Sequence, residues 1–358
     1  MNRTEWFGKF NRLRAQHLTM RCLGDQDSDC KTAPQHLHHD IERPEVAAEQ
    51  QIFSNRETVI GSRRVWPIFV LSLLAFIAVI ITQVVTAITV LLATKDAETG
   101  FAEAAEALPQ TMMHAPYFVT SLVISGLPLT VVAIVAGYFS AKHHKQSIAL
   151  RLGLHRPYLP WSVWTLLLLG SVFVFHIAVG LVWLVEQVFP GDDSFLRLYE
   201  NISTPWSFVL IVVVGVIPGI SEELFFRGFV QRRLLHRYSP VSAIGITAIL
   251  FALLHVTPHG IALASVMGVW LGVVAWRIGS IWPSVACHAF VNSTWNVYQI
   301  GRFQWGVPDL PPMWLGVTSG IVLLVAFILA CGKLRGMKLT APVPASVISP
   351  AHRLESSS

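Results

Sequence analysis

The sequence predicts an all-α fold, a polytopic bundle of about eight transmembrane helices, and three observations favour this class. The 358 residues are 53% apolar and only 13% charged, about half the roughly 25% charged share of ordinary soluble domains. Several apolar runs approach the ~20 residues that a helix needs to cross the hydrocarbon core. The charges are concentrated in residues 1–64, which hold 10 basic and 9 acidic groups. The protein is therefore expected to be integral to a membrane.

The polar segment of residues 1–64 is predicted to be a cytoplasmic N-terminal tail that is partly disordered. No apolar core of about 7–15 residues follows its basic residues, so a signal peptide is not expected. Four apolar residues recur there at helical spacing: Trp6, Phe7, Phe10 and Leu13. This pattern fits either an interfacial amphipathic helix or a locally helical stretch of a disordered tail. Residues 339–358, rich in Pro, Ser and Ala, are predicted to be a disordered C-terminal tail.

Eight candidate spans lie between the tails, in a predicted transmembrane domain of residues 65–338. They are residues 65–93, 117–139, 161–189, 206–226, 241–255, 261–278, 283–298 and 314–331. The fifth and seventh spans are short for a full crossing. No inverted repeat of the kind found in secondary transporters is visible.

The loops between the spans differ in charge, and this difference predicts the orientation. Twelve basic residues share the side that carries both termini: Lys142, Lys145, Arg151, Arg156, Arg227, Arg232, Arg233, Arg237, Arg277, Lys333, Arg335 and Lys338. The opposite side carries Lys95, Arg197 and Arg302 together with eight acidic residues. Because short cytoplasmic loops are enriched in Lys and Arg, both termini are expected in the cytoplasm, and the plasma (inner) membrane is favoured. The net charge of +5 is then explained by orientation, and nucleic-acid binding is not expected.

The chain has four cysteines: Cys22, Cys30, Cys287 and Cys331. They are too few and too scattered for a disulfide framework. Cys22 and Cys30 could pair, or could bind zinc with the nearby His36, His38 and His39. A reducing cytoplasm disfavours the pair and the spacing matches no established zinc pattern, so an unstructured His-rich tail is favoured.

Two adjacent glutamates stand out near the end of the fourth span. Polar groups inside apolar spans are costly, so each needs a partner or a function. Glu223 and Arg227 are i,i+4 neighbours on a helix, the favourable order for an ion pair, whereas Glu222 projects about 100° away. One carboxylate could hold the arginine while the other does chemistry. The alternative is a salt bridge at the membrane boundary with a snorkelling arginine.

Two later spans carry histidines at the same spacing from a second residue. The fifth ends in Phe251-x-x-x-His255, and the seventh carries His288-x-x-x-Asn292. A lone histidine in an apolar helix is more often a packing residue. Two histidines, an asparagine and a carboxylate on three separate apolar helices indicate a shared polar site instead.

These three segments, in this order, resemble the motifs of the CPBP family of intramembrane proteases. That family includes the type II CAAX prenyl endopeptidases and bacterial proteins labelled Abi or bacteriocin self-immunity. The likeness covers residues 205–298, and each motif alone is weak. The resemblance implies a helical bundle with a cavity open to the cytoplasm, in which a peptide bond is hydrolysed.

The resemblance also implies residue roles. Glu222 matches the family's essential first glutamate, Glu223 and Arg227 its structural partners, His255 the second-motif histidine, and His288 and Asn292 the last motif. A carboxylate in an apolar pocket suits a general base for water. His255 would orient that water or pass its proton to the leaving amine, and His288 and Asn292 would donate hydrogen bonds to the oxyanion.

Two questions stay open at this point. Glu222, His255 and His288 would also form a zinc ligand set of the Glu plus two His kind. No His-Glu-x-x-His helix is present, and a metal-free, glutamate-type site is favoured over a zinc cofactor.

The expected partners are the lipid bilayer and a membrane protein or CAAX-like peptide as substrate. The alternative function is a non-catalytic membrane immunity or peptide-binding protein that uses the same pocket.

Overall fold

The structure, a computed structural model, describes residues 65–95, 100–191, 196–200, 202–308 and 312–337. All of them belong to the second of the chain's two units, Ser62–Ser358. Both predicted tails lie outside the described residues, as do the apolar pattern near Trp6 and the segment with Cys22 and Cys30. The described part of the chain is helical throughout and contains no strand. The predicted all-α fold is confirmed.

Twelve α-helices and one π-helix make up the described part of the chain. The α-helices are α1 (Trp66–Thr94), α2 (Phe101–Met112), α3 (Ala115–His144), α4 (Ile148–Leu152), α5 (Trp161–Glu186), α6 (Arg197–Glu200), α7 (Thr204–Glu223), α8 (Arg232–Leu234), α9 (Pro240–Leu253), α10 (Pro258–Ile278), α11 (Trp282–Trp305) and α12 (Met313–Gly336). The π-helix, Leu224–Gln231, joins α7 to α8 without a break.

Six segments of the described chain are long and apolar enough to cross a membrane: α1, α3, α5, α10, α12 and the continuous segment Thr204–Leu234. The chain is therefore an integral membrane protein. Two further helices coincide with the fifth and seventh predicted spans. Of these, α9 is apolar but has only 14 residues, and α11 has 24 residues but a more polar composition. Together these eight segments match the eight predicted spans in order.

Two predicted span ends differ from the ends of the helices by more than five residues. The fourth span was expected to end at residue 226, but the π-helix carries the helical path on to Leu234. Glu222 therefore lies about twelve residues, or roughly 18 Å, from that end, near mid-length rather than at the boundary. The seventh span was expected over 283–298, but α11 continues to Trp305. Polar residues such as Gln299 interrupt its apolar run without ending the helix.

Small residues allow α7 and α11 to approach closely. A Cβ added to Gly219 would lie 3.3 Å from the Cβ of Ala289, and one added to Gly215 would lie 3.2 Å from the Ala289 carbonyl oxygen. This is the small-xxx-small pattern of membrane helix pairs. Since Glu222 and Glu223 follow Gly219 by one turn, the close approach brings them beside His288.

Hydrogen bonds between connecting segments fix one end of the bundle. Arg232 donates to the carbonyl oxygens of Gly279 at 2.7 Å and Leu150 at 3.1 Å. The N–H of Ile281 donates to the Gly153 carbonyl at 3.0 Å. These contacts place the turn after α4, the start of α8 and the turn after α10 together. We call this end of the bundle, which carries Arg151, Arg232, Arg233 and Arg277, the basic end.

Candidate active site

A buried ion pair stands at the junction of α7 and the π-helix. Arg227 Nη1 donates to Glu223 Oε1 at 2.6 Å, and both side chains are fully buried. Arg227 Nη2 donates to the Gly268 carbonyl at 3.1 Å, and the guanidinium lies 4.5 Å from the ring centroid of Phe251. The ion pair predicted from the i,i+4 spacing is present. The snorkelling alternative is wrong, because Arg227 is 1% exposed. Arg227 is therefore not a loop residue, and eleven basic residues rather than twelve indicate the orientation.

The π-helix presents two polar side chains to α10. Arg227 bonds to the carbonyl of Gly268, and Gln231, four residues on, donates to the carbonyl of Gly272 at 2.8 Å. A Cβ at Gly272 would lie 2.8 Å from Gln231 Oε1, so glycine keeps room for this contact. Short π-helical segments within α-helices frequently occur at functional sites. Gly268 and Gly272 have the same four-residue spacing as Arg227 and Gln231, and this spacing could have indicated the contact from the sequence. Nothing in the sequence indicates the π-helix itself.

His288 on α11 lies between the two carboxylates. Its Nδ1 is 3.1 Å from Glu223 Oε1, and its Nε2 is 3.9 Å from Glu222 Oε2. An ionised carboxylate only accepts, so Nδ1–H is the donor to Glu223. The distance from His288 Nε2 to Glu222 Oε2 is too long for a hydrogen bond, so this contact is electrostatic only.

Glu222 and His255 line the same cavity, of about 410 Å³, between α1, α3, α7 and the segment after α9. Its walls are mostly apolar and lie near the middle of the spanning helices. His255 lies two residues after the end of α9, and its Nδ1 is 3.1 Å from the Phe251 carbonyl oxygen. Since a carbonyl only accepts, Nδ1 carries the proton in this contact, and in the neutral ring Nε2 then keeps its lone pair.

Phe251 lies between the two histidines. Its ring centroid is 5.1 Å from that of His255 and 5.9 Å from that of His288, both edge-to-face. Asn292, one turn after His288, donates from its amide to the Val214 carbonyl on α7 at 3.3 Å. The structure therefore brings Glu222, Glu223, Arg227 and His288 into one contact network, places His255 on the cavity of Glu222, and holds Asn292 against the backbone of α7. The catalytic roles of these residues stay predictions.

The zinc ligand set that the sequence left open as an alternative is not assembled in this arrangement. Within the part of the chain that the structure describes, no group of three or more His, Cys, Asp or Glu side chains is placed to hold a metal ion. In particular, Glu222, His255 and His288 do not form one.

Sequence reasoning missed the polar residues that α1 and α3 contribute to the cavity. Gln83 and Ser125 line it, and the Gln83 amide donates to the Ser121 carbonyl at 3.3 Å. A lone glutamine within the apolar first span was the signal that could have pointed to this wall.

Comparison with known proteins agrees with this site. Residues 204–294 match the family model described as type II CAAX prenyl endopeptidase Rce1-like. The resemblance to the CPBP family is confirmed. The matched segment runs from the start of α7 into α11 and includes all six predicted site residues. No curated protein and no solved structure matches the chain.

Proposed function

We propose that this protein is an intramembrane endopeptidase that hydrolyses a peptide bond in a membrane-associated protein or CAAX-like peptide. The observation that carries the proposal is the unequal environment of two adjacent glutamates. Glu223 is fully buried against Arg227, whereas Glu222 faces a cavity that His255 also lines. The match to a family of endopeptidases over these same residues supports the assignment.

Glu222 would act as the general base for water. A carboxylate that has no arginine of its own and faces an apolar cavity can take a proton from water as that water attacks the scissile carbonyl. The proton then passes to the leaving amine as the tetrahedral intermediate collapses. His255, with a lone pair on Nε2, would accept or relay this proton. Glu223 would stay ionised and hold Arg227 and His288 in place.

His288 and Asn292 would stabilise the oxyanion. Because Nδ1–H of His288 is engaged by Glu223, an oxyanion must be bound through Nε2–H, which requires a doubly protonated, cationic ring. The Asn292 amide uses one N–H for Val214 and has a second N–H to donate. Removing one such donor typically costs ~10²–10³ in rate.

We infer a metal-free site in the plasma membrane, with both termini in the cytoplasm. The side-chain placement at Glu222, His255 and His288 supports the absence of a metal ligand set. The eleven basic loop residues on one side against three on the other support the orientation. Both inferences remain part of the proposal.

The function is tested with purified protein and quenched fluorescent CAAX-like peptides, one set farnesylated and one unmodified. We expect cleavage by the wild type and a loss of about 10²-fold or more in Glu222→Gln, because the amide keeps the shape and loses the base. Glu103→Gln, an exposed glutamate on α2, is the matched control and should cleave normally. Activity should survive prolonged chelation.

The outcomes separate the alternatives. Binding of the peptides without any cleavage by the wild type would favour the immunity or peptide-binding function. Full activity of Glu222→Gln would overturn its role as base. Loss of activity on chelation, with recovery on adding zinc, would overturn the metal-free site and leave the endopeptidase intact.

A further inference from the structure

Gln83 on α1 places an amide on the wall of the cavity that Glu222 also lines. Most of the surrounding wall is apolar, with residues such as Phe76, Ile80 and Leu129. A polar group inside a membrane-spanning helix is costly unless it has partners or a function. The proposed hydrolysis does not require this amide, so its place on the cavity wall calls for another explanation.

Ser121 on α3 fixes the orientation of the Gln83 amide. The Ser121 hydroxyl donates to Gln83 Oε1, and Gln83 Nε2 donates to the Ser121 carbonyl at 3.3 Å. Because a backbone carbonyl only accepts, Nε2 must be the atom that faces it. Nε2 carries two hydrogens, and the second one has no partner within the described part of the chain. Ser121 thus holds the amide in place and leaves one N–H for a molecule in the cavity.

The other side-chain donors on this wall already have acceptors. Ser125 and Ser221 donate their hydroxyls to carbonyl oxygens of their own helices, at 2.8 and 2.9 Å. The Nδ1–H of His255 is bound by the Phe251 carbonyl, and Nε2 of the neutral ring is an acceptor. Among the residues that the structure places on this wall, the second N–H of Gln83 is therefore the side-chain donor left for a ligand.

Gln83 lies a short distance along the cavity from Glu222. A Cβ added to Gly126 on α3 would lie 3.0 Å from Ser221 Oγ, so Gly126 is level with the residue that precedes Glu222. Ser121 stands five residues before Gly126, which is about 7.5 Å along a helix. An extended peptide advances about 3.3 Å per residue, so this distance spans roughly two residues of a bound peptide.

We propose that the second N–H of Gln83 donates to a backbone carbonyl of the bound peptide, roughly two residues from the scissile bond. This inference rests on the proposed endopeptidase function and adds a substrate-binding residue to it. A peptide that enters a mostly apolar cavity loses water, and its carbonyls then need donors from the protein. Since every residue of a peptide has the same backbone, Gln83 would hold the position of the peptide against Glu222 without selecting its sequence.

The test compares the wild type with Gln83→Met, which keeps a side chain of similar length and removes the donor. Full-length protein in detergent cleaves a quenched peptide and a set of analogues. In each analogue an alkene replaces one of the amide bonds near the scissile bond, so one backbone carbonyl is missing. We expect Gln83→Met to raise KM for the parent peptide about five-fold and to leave kcat within about two-fold, as the loss of one hydrogen bond made equally before and during the reaction would.

The analogues locate the contact. With the wild type, the analogue whose missing carbonyl lies roughly two residues from the scissile bond should lose about five-fold in kcat/KM. With Gln83→Met the same analogue should lose nothing further, because the donor is already absent. The matched control is Gln187→Met, since Gln187 is exposed after the end of α5 and donates to the Trp183 carbonyl. This control should behave as the wild type with every peptide.

A purely structural role of Gln83 gives a different result. Gln83→Met would then have a lower unfolding midpoint and would remain as sensitive to the missing carbonyl as the wild type, which would overturn the proposal. Equal losses in Gln187→Met, or equal losses with every analogue, would overturn it too.

Binding of the same peptides to the wild type, Gln83→Met and Glu222→Gln separates this inference from the proposed function. If the wild type bound the parent peptide without cleaving it, and Gln83→Met weakened binding about five-fold, the endopeptidase function would fail and the contact would stand. If the wild type cleaved the peptide and Gln83→Met matched it throughout, the contact would fail and the function would stand. A wild type that neither bound nor cleaved any peptide would overturn both.

Discussion

Glu222 and Glu223 are neighbours in sequence with opposite surroundings. Glu223 has no exposed side-chain area and is bound by Arg227 and His288. Glu222 retains 16% of its side-chain exposure and faces the cavity. A rotation of about 100° per residue on a helix is enough to separate them. The buried glutamate therefore serves the structure, and its neighbour is the one that we propose as the general base.

At Arg227, we expect replacement by alanine to lower both stability and cleavage. The change leaves Glu223 buried without its cation, and breaking such a pair typically costs about 3–5 kcal/mol. Arg227→Lys should lose less, because an ammonium keeps the charge, but it lacks the fork that reaches Glu223 and the Gly268 carbonyl together. Thermal unfolding in detergent and peptide cleavage measure the two effects.

The controls for this prediction are one exposed arginine and Glu222, the proposed general base. Arg237→Ala replaces an exposed arginine shortly after α8 and should change neither the unfolding midpoint nor the cleavage rate. Glu222→Gln should lower cleavage and keep the unfolding midpoint. Should Arg227→Ala and Glu222→Gln lose stability equally, the division of labour between the two glutamates would be refuted.

At the scale of elements, the pairing of α7 with α11 sets the distance between the carboxylates and His288. Gly219 permits the contact, since its added Cβ would meet the Cβ and backbone nitrogen of Ala289, both at 3.3 Å. We expect Gly219→Val to push α11 away, destabilise the bundle by about 1–3 kcal/mol as overpacking does, and reduce cleavage. The unfolding midpoint and the cleavage rate of the same preparation measure both effects.

Gly180→Val on α5 is the matched control for this substitution. A Cβ at Gly180 has no atom within 4 Å, so the same change in helix propensity occurs without a clash. If Gly180→Val lowered stability and cleavage as much as Gly219→Val, the effect would belong to valine in a helix and not to the α7–α11 contact.

The helices that the sequence predicted best are those with continuous apolar runs, because length and hydropathy alone decide them. The order of the eight segments and the i,i+4 pairing of Glu223 with Arg227 both follow from local sequence. The helix α2 was missed, because its twelve residues are neither long nor uniformly apolar. The continuation past residue 226 was also missed, since a π-helix differs from an α-helix in hydrogen bonding and not in composition.

At the scale of the whole molecule, the site has two parts. One part is a segment with recognisable sequence motifs, and the other is a set of cavity walls that carry no such motif. Glu222, His255 and His288 stand in the segment that matches the protease family. The cavity facing Glu222 is completed by α1 and α3, which precede that segment. Which helices touch depends on packing between distant parts of the chain, and spacing within one helix carries no information about it. The motif residues could thus be predicted, and the shape of the cavity could not.

The orientation of the whole molecule is the last prediction, and it rests on the sequence, in which eleven basic residues belong to the loops on one side of the predicted spans and three to the loops on the other. Single cysteines are placed in a variant that lacks the four native ones. Lys142→Cys reports the basic end and Val188→Cys, 70% exposed, reports the opposite end. In intact cells a membrane-impermeant maleimide should label Val188→Cys, and it should label Lys142→Cys only after permeabilisation, because basic loops are retained in the cytoplasm. The reverse pattern would place the basic end outside the cell and would overturn the predicted orientation.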